Sequence, residues 1–117
     1  MENQHRKITG YRELSQAEVD LMNRIKAKGA ELLALHAELV GVLSDEAEYL
    51  KQAAAQSIQG HEVDGRPATI HTGDTPECIE CQRFQASAPL RWAAIGKIDV
   101  QTAIMALVRA VAQPEGV

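Results

Sequence analysis

From Met22 to Leu43 one stripe of residues (Met22, Ile25, Gly29, Leu32, His36, Leu39 and Leu43) advances in alternating steps of three and four. That period belongs to one face of a helix, and spacing this strict resembles the seam of a coiled coil. Leu21, Leu33, Leu35, Val40 and Val42 fall beside the stripe. The apolar surface is therefore too wide for a single neighbour. Ser15-Gln16-Ala17-Glu18 opens the pattern as a capping box. Ser44-Asp45-Glu46 either caps a second helix or lets the first run on, because Ala47, Leu50, Ala54 and Ser57 keep the spacing. The break is Gly60, so the spacing predicts a long helix over about residues 15–59.

The rest of the chain divides at changes of composition. Residues 1–14 are polar and irregular, with a bend at Gly10. Residues 60–86 scatter Gly60, Gly65, Pro67, Gly73 and Pro76 among Asp, Thr and His, and read as an irregular insert. A structureless stretch of that length in a compact domain needs something to tie it down. A last helix is expected over about residues 87–113, with Ser87 as its N-cap, Pro89 in its first turn, and Leu90, Ala94, Ile98, Met105, Val108 and Val111 on its apolar face. The expectation is one all-α domain over residues 1–117, a long helical hairpin with an irregular Cys/His-containing insert.

Composition bears on how such a hairpin is stabilised. With one Trp, two Tyr and one Phe in 117 residues, the chain builds its core from Ala, Leu, Val and Ile. A core that thin favours burying helix faces against further copies of the chain, so an oligomer is expected. The net charge of −4 argues against duplex nucleic acid or an anionic membrane as the partner. A small anion needs only local cations, and Arg6, Lys7, Arg12, Arg24, Lys26 and Lys28 crowd the first 28 residues, while residues 31–50 hold none. No apolar run is long enough for a membrane span or a signal peptide, which points to the cytoplasm and to reduced cysteines.

Two constellations carry possible chemistry. The first is Gly10-Tyr11-Arg12-Glu13-Leu14-Ser15 with Lys26 and Lys28. A Tyr beside a helix start can stack on a base, and helix N-termini with nearby Lys or Arg favour phosphates. Lys26 stands about three turns into the helix, roughly 15 Å or more from Tyr11, so a shared ligand calls for a contribution from a neighbouring subunit. The other reading is a surface Tyr packed on a helix end beside a solvated basic face.

The second constellation is His61, His71, Cys78 and Cys81, with the C-x₂-C spacing of a zinc knuckle and two imidazoles to complete a tetrahedron. Zinc held there would tie down the insert, and unligated thiols are the alternative. No nucleophile motif or Gly-rich phosphate loop is present, His36 lies on the apolar stripe, and Glu46 and Glu48 read as a solvated face. A binding protein without catalytic residues is expected, its rivals being a partner-binding helical module and a small zinc protein.

Gly10-Tyr11-Arg12-Glu13-Leu14-Ser15, running into Leu21-Met22-Asn23-Arg24-Ile25-Lys26-Ala27-Lys28-Gly29, resembles the first helix of the phage anti-CBASS protein 2 family. Arg91-Trp92-Ala93-Ala94-Ile95, with Met105-Ala106-Leu107-Val108-Arg109-Ala110-Val111-Ala112-Gln113-Pro114, resembles its last helix. Thoeris anti-defence protein 1 shares the hairpin. The resemblance implies a homohexameric sponge in the host cytoplasm that sequesters cyclic dinucleotides, and in some members cyclic trinucleotides, without cleaving them. It also implies that Tyr11 stacks on a base and Lys26 meets the phosphates. Arg12 and Lys28 accompany them as candidates. The family's last helix tends to read Ala-Arg-Thr and Gly-Phe-Met where this chain has Gly96-Lys97-Ile98 and Ala103-Ile104-Met105. Lys97 there supplies charge in place of an Arg but not its bidentate fork.

Overall fold

A computed structural model describes residues 12–114. In chain order these form α1 (Gln16–Ser57), β1 (Glu62–Val63), β2 (Arg66–Pro67), α2 (Pro76–Ser87) and α3 (Pro89–Ala112). The fold is the expected helical hairpin built on two long helices, of 42 and 24 residues. The described residues divide into two compact units, one of residues 12–35 and 96–114 and one of residues 36–95.

The first unit holds the start of α1 and the end of α3. The capping box forms as the sequence predicts: Glu18 N–H donates to Ser15 Oγ at 3.1 Å, and Ser15 N–H donates back to Glu18 Oε1 at 2.9 Å. Two orphan amides of the first turn are thereby satisfied. The helices run antiparallel here, with Arg12 reaching the carbonyl of Ala112 while Gly29 meets Ile104 farther along. A Cβ on Gly29 would fall 2.1 Å from Ile104 Cδ1, so the close crossing depends on the missing side chain. Gly29 is the only buried residue among those described in this unit, and Leu21, Leu32, Leu35, Ile98, Met105 and Leu107 stay exposed.

The second unit has a core of its own. Ala54 and Ile58 on α1 pack with Cys78 and Cys81 on α2, joined by Leu50, Ala68 and Ile70. There is no break at Ser44, and α1 runs unbroken to Ser57, two residues short of the expected end. His36, on the α1 stripe, donates from Nε2 to the Ala93 carbonyl of α3 at 2.8 Å, a packing role rather than that of a base.

The insert is more ordered than its composition suggests. Asp64 and Gly65 both take positive φ, +53° and +76°, and turn β1 into an antiparallel pairing with β2. This is the Asp-Gly hairpin turn whose twist suits paired strands. The last part of the expected loop, from Pro76 on, is helix α2, started by Thr75, whose Oγ1 accepts from Cys78 N–H at 3.1 Å. Ser87 therefore does not cap the last helix: it ends α2, its hydroxyl donating to Phe84 O. Ala88, left-handed at φ 49°, ψ 53°, separates α2 from α3.

Candidate functional site

Two grooves in the first unit are lined by described residues. The larger, about 530 Å³, is walled by Leu21, Ile25, Leu32, Val100, Ile104 and Leu107. Lys28 lies along it and is paired with Glu31 at 3.4 Å. Arg24 and Glu31 line it as well, so a carboxylate stands among its cations. The second cleft, about 440 Å³, has apolar walls of Leu14, Ile104, Met105 and Val108 and three cationic linings, Arg12, Lys26 and Arg109, with no carboxylate among the residues that line it. Apolar walls with convergent cations suit a ligand that is flat and anionic at once.

The three cations are not equivalent. Arg12 Nη2 donates to Glu18 Oε2 at 2.6 Å and to Val111 O at 2.8 Å, and its Nε donates to Ala112 O at 3.1 Å. Its charge is matched by a carboxylate and by the last carbonyls of α3, which have no intrahelical partners. The Arg12 guanidinium, followed by the Ser15 N–H, holds the Glu18 carboxyl down at about 2. Lys26 and Arg109 make no ion pair with any other described residue.

Of the residues singled out from sequence, Arg12 and Lys26 line this cleft together. Tyr11 lies outside the described residues. Lys28 lines the other groove, and Lys97 is exposed on α3 and lines neither. Arg109 was not anticipated. The visible signal was a basic residue in the last turn of α3. Its facing Lys26 depends on the register of the hairpin, which a single sequence does not give.

The zinc site expected from His61, His71, Cys78 and Cys81 is not assembled. Cys78 and Cys81 are free thiols buried in the core, whereas His61 and His71 are exposed on the surface. Among the described residues no three His, Cys, Asp or Glu side chains come together to hold a metal. The insert is tied down in other ways. Gln82 Nε2 donates to Ile70 O at 3.1 Å and Gly73 O at 3.0 Å, Ser57 Oγ meets Thr75 Oγ1 at 2.7 Å, and the Cys78 thiol points at Ala54 O. The thiols act as small apolar side chains.

A helical hairpin with an anion-suited cleft where its ends meet defines a class, and the comparisons with known proteins agree. The Acb2/Tad1 hairpin domain matches residues 3–112, and the chain belongs to that family. The chain is 60% identical over 116 residues to Anti-CBASS protein 2 of Pseudomonas phage JBD67, covering 99% of each. Among the described residues no helix is long and apolar enough to cross a membrane.

Proposed function

We propose that this protein binds cyclic oligonucleotide second messengers, cyclic dinucleotides foremost, and sequesters them uncleaved, so that it counteracts bacterial anti-phage defence in the host cytoplasm. The observation that carries this reading is the cleft between the ends of the hairpin, in which Lys26 and Arg109 stand without acidic partners among the described residues against apolar walls. Membership of the hairpin family and similarity to a protein named Anti-CBASS protein 2 support it.

In this reading Lys26 and Arg109 take the phosphates by charge-assisted hydrogen bonds. Tyr11 stacks on a base, and the apolar wall carries the rest of the ring surface. Lys97 and Lys28 lie away from the cleft, and serve at most a separate trinucleotide site. The exposed apolar faces are covered in a homo-oligomer, six copies being what the family resemblance implies, and light scattering then gives a mass several times 12.7 kDa.

Calorimetric titration against a panel of cyclic di- and trinucleotides tests the reading. Lys26→Ala and Arg109→Ala should each cost about 1.5–3 kcal/mol of binding, the range for hydrogen bonds to charged groups. Wild-type affinity should fall with added salt. Ligand released by denaturation should be intact, and recovery of linear nucleotide would make the protein an enzyme instead. Absence of binding across the panel, with a normal oligomer, would favour a helical assembly module.

A further inference from the structure

We infer that Arg12 is a positioning residue of this cleft and not a phosphate ligand, an assignment that rests on the proposed binding function. A guanidinium offers five N–H donors in a planar fork. One side of the Arg12 fork meets the Glu18 carboxylate, Nη2 at 2.6 Å and Nη1 at 3.4 Å. The other meets Val111 O at 2.8 Å and Ala112 O at 3.1 Å. An incoming phosphate would have to displace these acceptors while lying beside the negative charge of Glu18.

The contacts span three parts of the chain. Arg12 lies before α1, Glu18 is in its first turn, and Val111 and Ala112 end α3. Glu18 is itself held by the capping box through Ser15. The result is a clamp of two charges and two helix-terminal carbonyls that fixes the chain leading into α1 against the end of α3. The separation of Lys26 on α1 from Arg109 on α3 is set by that clamp.

Opening the clamp should lower the fraction of molecules with the cleft formed, and apparent affinity falls in proportion to that fraction. The test uses the full-length oligomer with cyclic di-AMP and cyclic di-GMP as probes, comparing wild type, Glu18→Gln and the charge-neutral pair Arg12→Gln with Glu18→Gln. If Glu18→Gln leaves the cleft formed about a third of the time, binding weakens about threefold. The double variant weakens further, while the slope of affinity against salt stays at the wild-type value because no phosphate contact has gone. Hydrogen exchange on ligand-free protein speeds up at residues 12–15 and in the last turn of α3.

A direct phosphate contact predicts the opposite sign for Glu18→Gln: Arg12 is released from its carboxylate and binding tightens. Tighter or unchanged binding by Glu18→Gln, or a flatter salt slope in the double variant, overturns the positioning role. Unchanged exchange in Glu18→Gln overturns the clamp whether or not a ligand is present. Failure of the wild type to bind either probe counts against the proposed function, and the exchange measurement still decides the clamp.

Discussion

The two units spend the same kind of residue differently. Residues 36–95 bury Ala54, Ile58, Cys78, Cys81, Phe84 and Ala93. The other unit buries only Gly29 among its described residues, and leaves Leu107 at 53% and Met105 at 72% exposure. A segment with its own core is stabilised by its own contacts. A helix pair with apolar faces in water is stabilised fully only when something else covers them. The candidate cleft lies in the unit without a core, where the hydrogen bonds of Arg12 do more of the positioning than packing does.

The largest expected effect breaks or upholds that contrast directly. Phe84, 7% exposed, should cost about 3–5 kcal/mol when truncated to Ala, measured by denaturant unfolding. Leu107→Ala should change the stability of the chain's own fold by no more than about 0.5 kcal/mol. Equal losses at the two positions would show that the units are built alike. A Leu107→Ala loss that grows with protein concentration would sharpen the contrast, since it places a second copy on that face.

Next in size are the two buried glycines, one in each unit. A Cβ on Gly73 would lie 2.6 Å from Cys78 Sγ, 2.9 Å from Ile58 Cγ2 and 3.1 Å from the Thr69 carbonyl oxygen, which is backbone and cannot turn aside. The three atoms nearest a Cβ on Gly29 all belong to the Ile104 side chain. Overpacking of this kind costs about 1–3 kcal/mol, with Gly73→Ala expected at the upper end and Gly29→Ala at the lower. Ile104→Ala should suppress the Gly29→Ala penalty in a double-mutant cycle, and a strictly additive cycle would refute the close crossing.

A smaller change should stabilise. Ala88 holds φ 49°, ψ 53° between α2 and α3, a left-handed conformation that costs an L-residue about 1–2 kcal/mol. Glycine avoids that strain but loses more chain entropy on folding, so Ala88→Gly should gain less than about 1 kcal/mol, read as a raised melting temperature. A loss instead would mean that the Ala88 side chain packs usefully at the junction.

How far the sequence disclosed this molecule depended on whether the signal was local. The capping box of Ser15 and Glu18, the period of α1 and most of α3 are short-range features, and they formed as written. Asp64-Gly65 is also local and marks a hairpin turn, but it stands among so many turn-forming residues that the paired strands around it did not stand out. Helix α2 was missed for a chemical reason. Cys78 and Cys81 recur at helical spacing with Phe84, and the C-x₂-C pair fits metal ligands and core thiols equally until the fold places its sulfurs in the core. Lys26 was legible as a candidate from its basic neighbourhood and from the family resemblance. Arg109 was not, because only the antiparallel register brings it to the same cleft.

The smallest expected effect concerns acid. The Arg12 guanidinium, then the Ser15 amide, lower the Glu18 carboxyl from an ordinary 4.5 to about 2. A carboxyl whose pKa is lower in the folded state stabilises fully above its unfolded value and loses that contribution as pH falls through the folded one. The difference in unfolding midpoint between wild type and Glu18→Gln should therefore be level above about pH 5, shrink through the acid range and nearly vanish by about pH 2. The carboxylate is open to water, so the difference is small and salt narrows it further. Glu80 in the other unit is lowered in the same direction by Arg83, so Glu80→Gln should lose its difference over the same side of the pH scale. The two differ in what they join: Arg83 and Glu80 are one turn apart on α2, while Arg12 and Glu18 hold the end of α3. Protection from exchange in the last turn of α3, taken against the unstructured rate at each pH, should therefore fall on acidification with Glu18 present and be unaffected by Glu80→Gln. An α3 terminus equally protected from neutral pH down to the acid limit would show that the Arg12 bonds to Val111 and Ala112 hold without the carboxylate.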